Sequence, residues 1–330
     1  MTGLWTQTAV TQTRFRPDAV GQLLQLWHEV MPGDAPSAAR FRDLALLNPA
    51  FRPDGLIMLW RGEHLIGFGY AIAGEPAGTA PGGPHGWLAG LGVAAAERGR
   101  GHGSRLLQSC LQYLRGAGCA VADLGGNGER YLLPGADAAA YPEFRGLIEA
   151  AGFRAAGSTQ AMHCDLTGLP PEPAASRRGR YRYRHPGDGD LPELLTVAGG
   201  FSAGWAGLIR SYLGRTEHAE NLWIARGPDG IAGFAGSDLF PGCPGRFGPM
   251  GVVPAARGHG AGSRLLRLSL ASMAGRGRQS AWFLWGPEGE SGRRMYASAG
   301  FQVSRQFDFF RLDLHEPRTP GPAQKGSRDE

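Results

Sequence analysis

Two stretches of the sequence carry residue types at a spacing that can do chemistry. Residues 93–107 read VAAAERGRGHGSRLL, and residues 252–266 read VVPAARGHGAGSRLL. In each, an apolar run (ending at Val93, or at Val252 and Val253) leads to Arg-Gly-x-Gly-x-Gly and then to a Ser-Arg-Leu-Leu segment. The first loop holds Arg98, Gly99, Arg100, Gly101, His102, Gly103 and Ser104. The second holds Arg257, Gly258, His259, Gly260, Ala261, Gly262 and Ser263. A strand that ends in such a loop and opens into a helix leaves several backbone N–H groups unpaired. The helix dipole adds partial positive charge there, and glycine lets a large anion approach the backbone. The expected ligand is a phosphate or pyrophosphate. A P-loop would need Gly-Lys-Ser/Thr, which neither stretch has. A dinucleotide fold would place its loop early in the domain, with an acidic residue about 20 positions on.

The elements that must position these loops recur with them. Ala151-Gly152-Phe153 follows the first loop and Ala299-Gly300-Phe301 the second, while Leu65-Ile66-Gly67-Phe68 upstream is matched by Ile231-Ala232-Gly233-Phe234. The chain is therefore one unit of about 150 residues repeated twice, with a longer connection around NGERYLLPGADAAAYPEF in the first copy. Apolar spacing within each unit reads as helix, hairpin strands, strand, glycine loop, helix, strand, helix and strands. The loop thus falls in mid-unit. The fold class expected is α/β: two tandem domains, each a central mixed, mostly antiparallel sheet flanked by helices. The boundaries expected are 1–167 for the first domain, 168–180 for a Pro/Ala/Arg-rich linker, 181–316 for the second domain and 317–330 for a tail.

Composition excludes several classes. With 42% hydrophobic and 19% charged residues in 330, the chain can build cores and is not a disordered one. Its 54 glycines follow no three-residue period, so it is not collagen-like. Cys110, Cys119, Cys164 and Cys243 show no CxxC or CxH spacing, which fits a reduced chain and no zinc site, and the histidines are not spaced for metal. The opening MTGLWTQTAVTQT lacks a basic and then apolar leader, and the longest uncharged stretch, 76–96, is broken by Gly and Pro. A cytoplasmic protein with no membrane partner is expected. The net charge of +5 resides in Arg177, Arg178, Arg180, Arg182 and Arg184, without which basic and acidic residues balance. Their alternation with Tyr181 and Tyr183 reads as a strand with arginines on one side and tyrosines on the other. It is not read as a nucleic-acid stripe, and nucleic acid is not an expected partner.

The order strand, V-x-P-x-x-R-G-x-G-x-G, helix, strand and then Y-x-x-x-G-F resembles the GNAT superfamily of acyl-CoA-dependent N-acetyltransferases. The second unit matches from Val252-Val253-Pro254 through Gly262, and again at Tyr296 with Gly300-Phe301. The first matches the loop, with Ala95 for the proline, so the whole resembles a tandem GNAT protein in a layout similar to mycothiol synthase. The resemblance implies acetyl-CoA as co-substrate, its pyrophosphate on the loop N–H groups and its pantetheine along the strand ending at Val252 and Val253. A backbone N–H near those valines would polarise the thioester, and Tyr296 would be the general acid toward the departing thiolate. Arg294 stands at a commonly cofactor-facing position. The first unit has Ile148 in place of that tyrosine, so it is expected to be inactive or to use another phenol, Tyr131 or Tyr141. The general base stays open among Asp238, Glu288 and Glu290. Phe201, Trp205 and Arg210 stand where acceptors bind in the superfamily. The function expected is direct acetyl transfer to a small-molecule primary amine by a monomer. The alternatives are a non-enzymatic acyl-CoA-binding regulator and a protein or tRNA acetyltransferase.

Overall fold

The structure, a computed structural model, describes residues 9–74, 84–125, 132–169, 176–216, 219–287 and 289–315. Tyr131, Glu288 and the tail lie outside these residues. The first unit runs β1 (Val10–Arg14), α1 (Val20–Val30), α2 (Ala38–Phe41), β2 (Leu56–Arg61), β3 (His64–Ala73), β4 (His85–Val93), α3 (His102–Gly116), β5 (Val121–Leu124), α4 (Pro142–Ala150) and β6 (Arg154–Asp165). The second runs β7 (Ser176–Arg178), β8 (Tyr181–Arg184), α5 (Leu191–Phe201), α6 (Ala203–Leu213), β9 (Leu222–Gly227), β10 (Gly230–Ser237), β11 (Phe247–Val252), α7 (Ala261–Gly275), β12 (Ser280–Phe283), α8 (Glu290–Ser298) and β13 (Gln302–Asp313). No helix among the described residues is long and apolar enough to cross a membrane.

Helices cover both faces of the hairpin strands of each unit, which are buried on both sides. β2 and β3 are almost wholly buried, and one face packs Trp27, Phe41 and Phe68 under α1 and α2. The other packs Leu106, Cys110 and Ile148 under α3 and α4. In the second unit Phe234 and Ile209 pack under α5 and α6, and Leu265, Phe283 and Phe301 under α7 and α8. The expected alternation in the arginine stretch is present: Tyr181 and Tyr183 are buried, while Arg184 turns outward to pair with Asp190. Part of the expected linker is itself a strand. Ser176–Arg178 pairs with β8 across a two-residue turn at Gly179-Arg180, where Gly179 takes the left-handed conformation (φ 59°) that such a hairpin needs.

The units do not keep separate sheets. Among the described residues the strand order is β1-β2-β3-β4-β5-β13-β6-β12 in one sheet and β11-β10-β9-β8-β7 in the other. Each unit has one twelve-residue strand after its last helix, and these two strands, β6 and β13, pair with each other along their length. Each then continues onto the other unit. Phe310–Asp313 of β13 pairs with β5, and Met162–Asp165 of β6 pairs with β12. Both contacts are antiparallel and related by the repeat. The exchange satisfies strand edges that neither unit could cover alone.

Candidate functional site

The two loops have nearly the same backbone. Gly99 and Gly101 have φ of 73° and 79°, and Gly258 and Gly260 both have 77°. L-residues avoid this region. A Cβ at any of the four would meet nothing within 4 Å, so the space over the loop is open. The third glycine has another reason. A Cβ on Gly262 would lie 3.2 Å from Met295 Sδ, and one on Gly103 3.4 Å from Leu147, so this glycine seats the helix against its neighbour. The loop arginines fold back: Arg98 Nε donates to the Val93 carbonyl (3.2 Å) and Arg257 Nε to that of Val252 (3.1 Å). With glycine at each N-cap, no side chain caps the first turn of α3 or α7. The first-turn N–H groups of both helices therefore face the opening.

The loops differ beneath. Glu97 is buried under the first, clasped by Arg61 through two bonds of 2.8 Å, with His102 Nε2 at 3.5 Å and Arg100 at 3.9 Å. In the second, Ala256 and Ala261 take the places of Glu97 and His102 and are core residues, so Ala261 offers a ligand its N–H alone. His259 Nδ1 lies 2.8 Å from the Arg257 carbonyl. Ser104 and Ser263 are exposed on the first turns.

Beside each loop a gap opens in the strands. β4 pairs in parallel with β5 at His85–Trp87, and the rest of β4 pairs along β3 alone. In the second unit, among the described residues, one bridge joins the two sides, from Arg246, just before β11, to Trp282 of β12. Val253 N–H donates to the Ala232 carbonyl (2.9 Å), so it is spent inside the sheet. The polarising N–H expected near these valines is then not that of Val253. By strand alternation the N–H turned into the gap is that of Val252.

Tyr296 sits at the narrow end of this second gap. Its ring lies 4.9 Å from Phe283 of β12, 6.1 Å from Phe247 of β11 and 5.3 Å from Phe301. Burial pushes its phenol well above the usual range. Ile148, its counterpart, is fully buried. On the other face of β11, Phe201 and Trp205 stack at 5.7 Å, and a Cβ on Gly251 would come within 2.8 Å of the Phe201 ring. Arg210 is exposed beyond them.

Several candidates are placed elsewhere. Asp238 is neither solvated nor free. In a left-handed conformation (φ 53°), it accepts from Gly245 N–H (2.6 Å) and Arg278 Nε (3.0 Å) and so fixes the β10–β11 connection. Arg294 and Glu290 form an exposed pair at 3.7 Å. Tyr141 is engaged too, donating to Asp34 Oδ2 at 2.6 Å. That aspartate and Asp137 are bound by Arg305, which β13 brings from the second unit, at 2.6 to 2.7 Å. The longer connection of the first unit closes the same side. Leu132 enters the core beside Trp27, and Ala136 bridges to Asp308 of β13. Sequence reasoning found the extra length but not Arg305, Asp34 or Asp137, whose link becomes visible only with the strand exchange.

Two family models match the sequence: the Acetyltransferase (GNAT) family over residues 20–127 and the Acetyltransferase (GNAT) domain over residues 218–303. No curated protein matches it. Among solved structures it is similar to the GCN5-related glucosamine N-acetyltransferase region of a fungal multi-domain beta-N-acetylglucosaminidase (15% identity, TM-score 0.72), over 93% of this chain and 38% of that one. It spans well under half of that larger protein. It is similar also to a GCN5-related N-acetyltransferase from Sphaerobacter thermophilus (16% identity, TM-score 0.67, 92% of this chain and 96% of that one). A tandem GNAT protein from the clavulanic acid biosynthesis pathway matches at 15% identity and TM-score 0.63, over 94% of this chain and 100% of that one.

Proposed function

The chain belongs to the GNAT acetyltransferase family, with two of its units in tandem, and from that premise we propose that it acetylates a small-molecule primary amine directly from acetyl-CoA, at one working site in the second unit. One observation carries the choice of unit. Tyr296 packs on rings from both strands that flank the second gap, whereas its counterpart Ile148 is a core residue. The fit of acetyl-CoA is supported by the uncapped first turn of α7 and by the open space over Gly258 and Gly260.

In this reading the N–H groups of residues 258–263 hold the pyrophosphate, and the open edge of β11 takes the pantetheine arm. The N–H of Val252 polarises the thioester carbonyl, a fixed dipole aimed at developing negative charge. The amine nitrogen, entering as the free base, bonds to the acetyl carbon as the C–S bond breaks; the sulfur leaves with the electron pair, and the surplus proton on nitrogen passes to water. Tyr296 supplies the sulfur's proton. Burial keeps that phenol protonated far beyond neutrality, which suits a donor and disqualifies it as the base. The same shift weakens it as an acid, so its contribution belongs at the lower end of general acid catalysis, about 10²-fold. Phe201 and Trp205 form an aromatic wall on the acceptor side of β11. The first unit, with its acceptor side filled by Leu132 and the Arg305 cluster, serves as scaffold.

Tyr296→Phe tests this, since it removes the hydroxyl and keeps the packing. The reading expects kcat to fall about 10²-fold with KM for acetyl-CoA held. Full turnover in Tyr296→Phe, with activity abolished by Arg98→Glu, would move the site to the first unit.

A further inference from the structure

Neither the sheet nor the transfer site accounts for the whole arginine stretch. Arg184 is structural, giving two bonds to Asp190. Arg180 is different. It heads the β7–β8 turn, and its ion pair reaches Asp229 at 3.3 Å, a residue whose side chain is 89% exposed. Such a surface pair contributes little and yields readily to a better anion. The turn faces the start of α7, and the two enclose a cavity of about 650 Å³. Its lining includes Arg180, Tyr181, His259, Gly260, Ser263 and Arg267. Arg267 is exposed, and no carboxylate pairs with it among the described residues. Tyr181, buried, lines the same cavity, with the Arg180 guanidinium 5.7 Å over its ring.

The described residues of the first unit do not repeat this pair of cations. Gln108 stands where Arg267 does in the repeat, and β1, which pairs with β2 as β8 pairs with β9, carries Gln12 in the place of Tyr183. There Gln12 accepts from Arg105 Nε at 3.2 Å and donates to Ser109 Oγ at 3.1 Å. The repeat therefore conserves the loop and diverges in charge immediately beside it.

We propose that this cavity binds the phosphate monoester on the ribose of the co-substrate's nucleotide, with Arg180 and Arg267 as its ligands, so that the second unit selects the 3′-phosphorylated nucleotide over its dephosphorylated form. This rests on the acyl-CoA reading above. The cavity begins at Gly260 and Ser263, in the turn that would hold the pyrophosphate, and follows α7 for one more turn to Arg267. Four residues of helix rise about 6 Å, the scale of one sugar ring. A phosphate monoester carries roughly 1.5 to 2 negative charges at neutral pH. The helix end supplies about half a positive charge, already directed at the pyrophosphate, so a second phosphate needs guanidinium groups.

The test is a calorimetric titration of the full chain with coenzyme A and with 3′-dephospho-coenzyme A. Wild type should bind coenzyme A at least about tenfold more tightly, the scale of charge-assisted hydrogen bonds. Arg180→Gln combined with Arg267→Gln should bring the two affinities to within about twofold of each other by weakening coenzyme A alone. Gln108→Ala should leave the ratio unchanged. Equal affinities in wild type, or a double variant that weakens both ligands alike, would overturn the proposal. So would a double variant that loses a short RNA oligonucleotide while keeping the ratio. Failure of wild type to bind either nucleotide would overturn the acyl-CoA reading and this inference with it.

Discussion

Arg305→Met removes the guanidinium that β13 carries into the first unit. It leaves Asp34 and Asp137, whose side chains are 4% and 6% exposed, without their cation. Breaking a buried pair by deleting one partner costs about 3–5 kcal/mol. Arg305 is itself 27% exposed, so water can reach part of the vacated space, and the lower figure, about 3 kcal/mol, applies. The pH dependence gives the prediction its sign. Burial pushes the Asp137 carboxyl up, but the Ala140 N–H, Arg305 and the Ala139 N–H together hold it below the usual range. In wild type its contribution is therefore present above the unfolded value, about 3.9, and is lost as pH falls through the folded one. Without Arg305 burial dominates, the folded value rises, and the variant gains stability as pH drops through it. Urea unfolding should then show a gap of about 3 kcal/mol at pH 7 that narrows steadily toward pH 4. A gap under about 1 kcal/mol at pH 7, or one that does not change with pH, would refute the reasoning.

Other outcomes follow from the same geometry. Gly260→Ala meets no neighbour but must hold φ at 77°, so it should destabilise by about 1–2 kcal/mol in urea unfolding. No change there would mean that the loop relaxes to another conformation. In a pH–rate profile, kcat should not fall around pH 10, where an ordinary phenol ionises, because burial raises Tyr296 above that value. A fall centred near 10 would contradict its placement among the rings. A chain ending at Gly300 lacks β13 and so leaves β5 and β6 each without one of its two neighbouring strands. It should lose cooperative unfolding in both units, and a first unit that still melted cooperatively would show that the exchange is dispensable.

The loops, the order of elements and the Tyr/Arg alternation were legible because each depends on local chemistry: glycine at positive φ, apolar periodicity, a two-residue strand period. The partners of β6 and β13 were not legible. One strand after each last helix is compatible with separate sheets or with exchange, and only long-range register decides between them. Tyr141 shows the same limit. As a sequence position it was a spare phenol for the first unit, but its hydroxyl is taken by Asp34, 107 residues away, which is itself held by Arg305, 271 residues away. Asp238 stood open as a general base, and what engages it is a hydrogen bond from Gly245 and an arginine 40 residues on.

The claim of one working site, in the second unit, is tested most directly by a matched pair of loop variants, Gly260→Asp and Gly101→Asp, assayed for coenzyme A release with acetyl-CoA and a panel of small primary amines. Each places a carboxylate in the anion cradle of one unit at a nearly identical backbone position. The account predicts that Gly260→Asp abolishes release while Gly101→Asp keeps turnover close to that of wild type. Loss of turnover in Gly101→Asp, with Gly260→Asp still active, would contradict it.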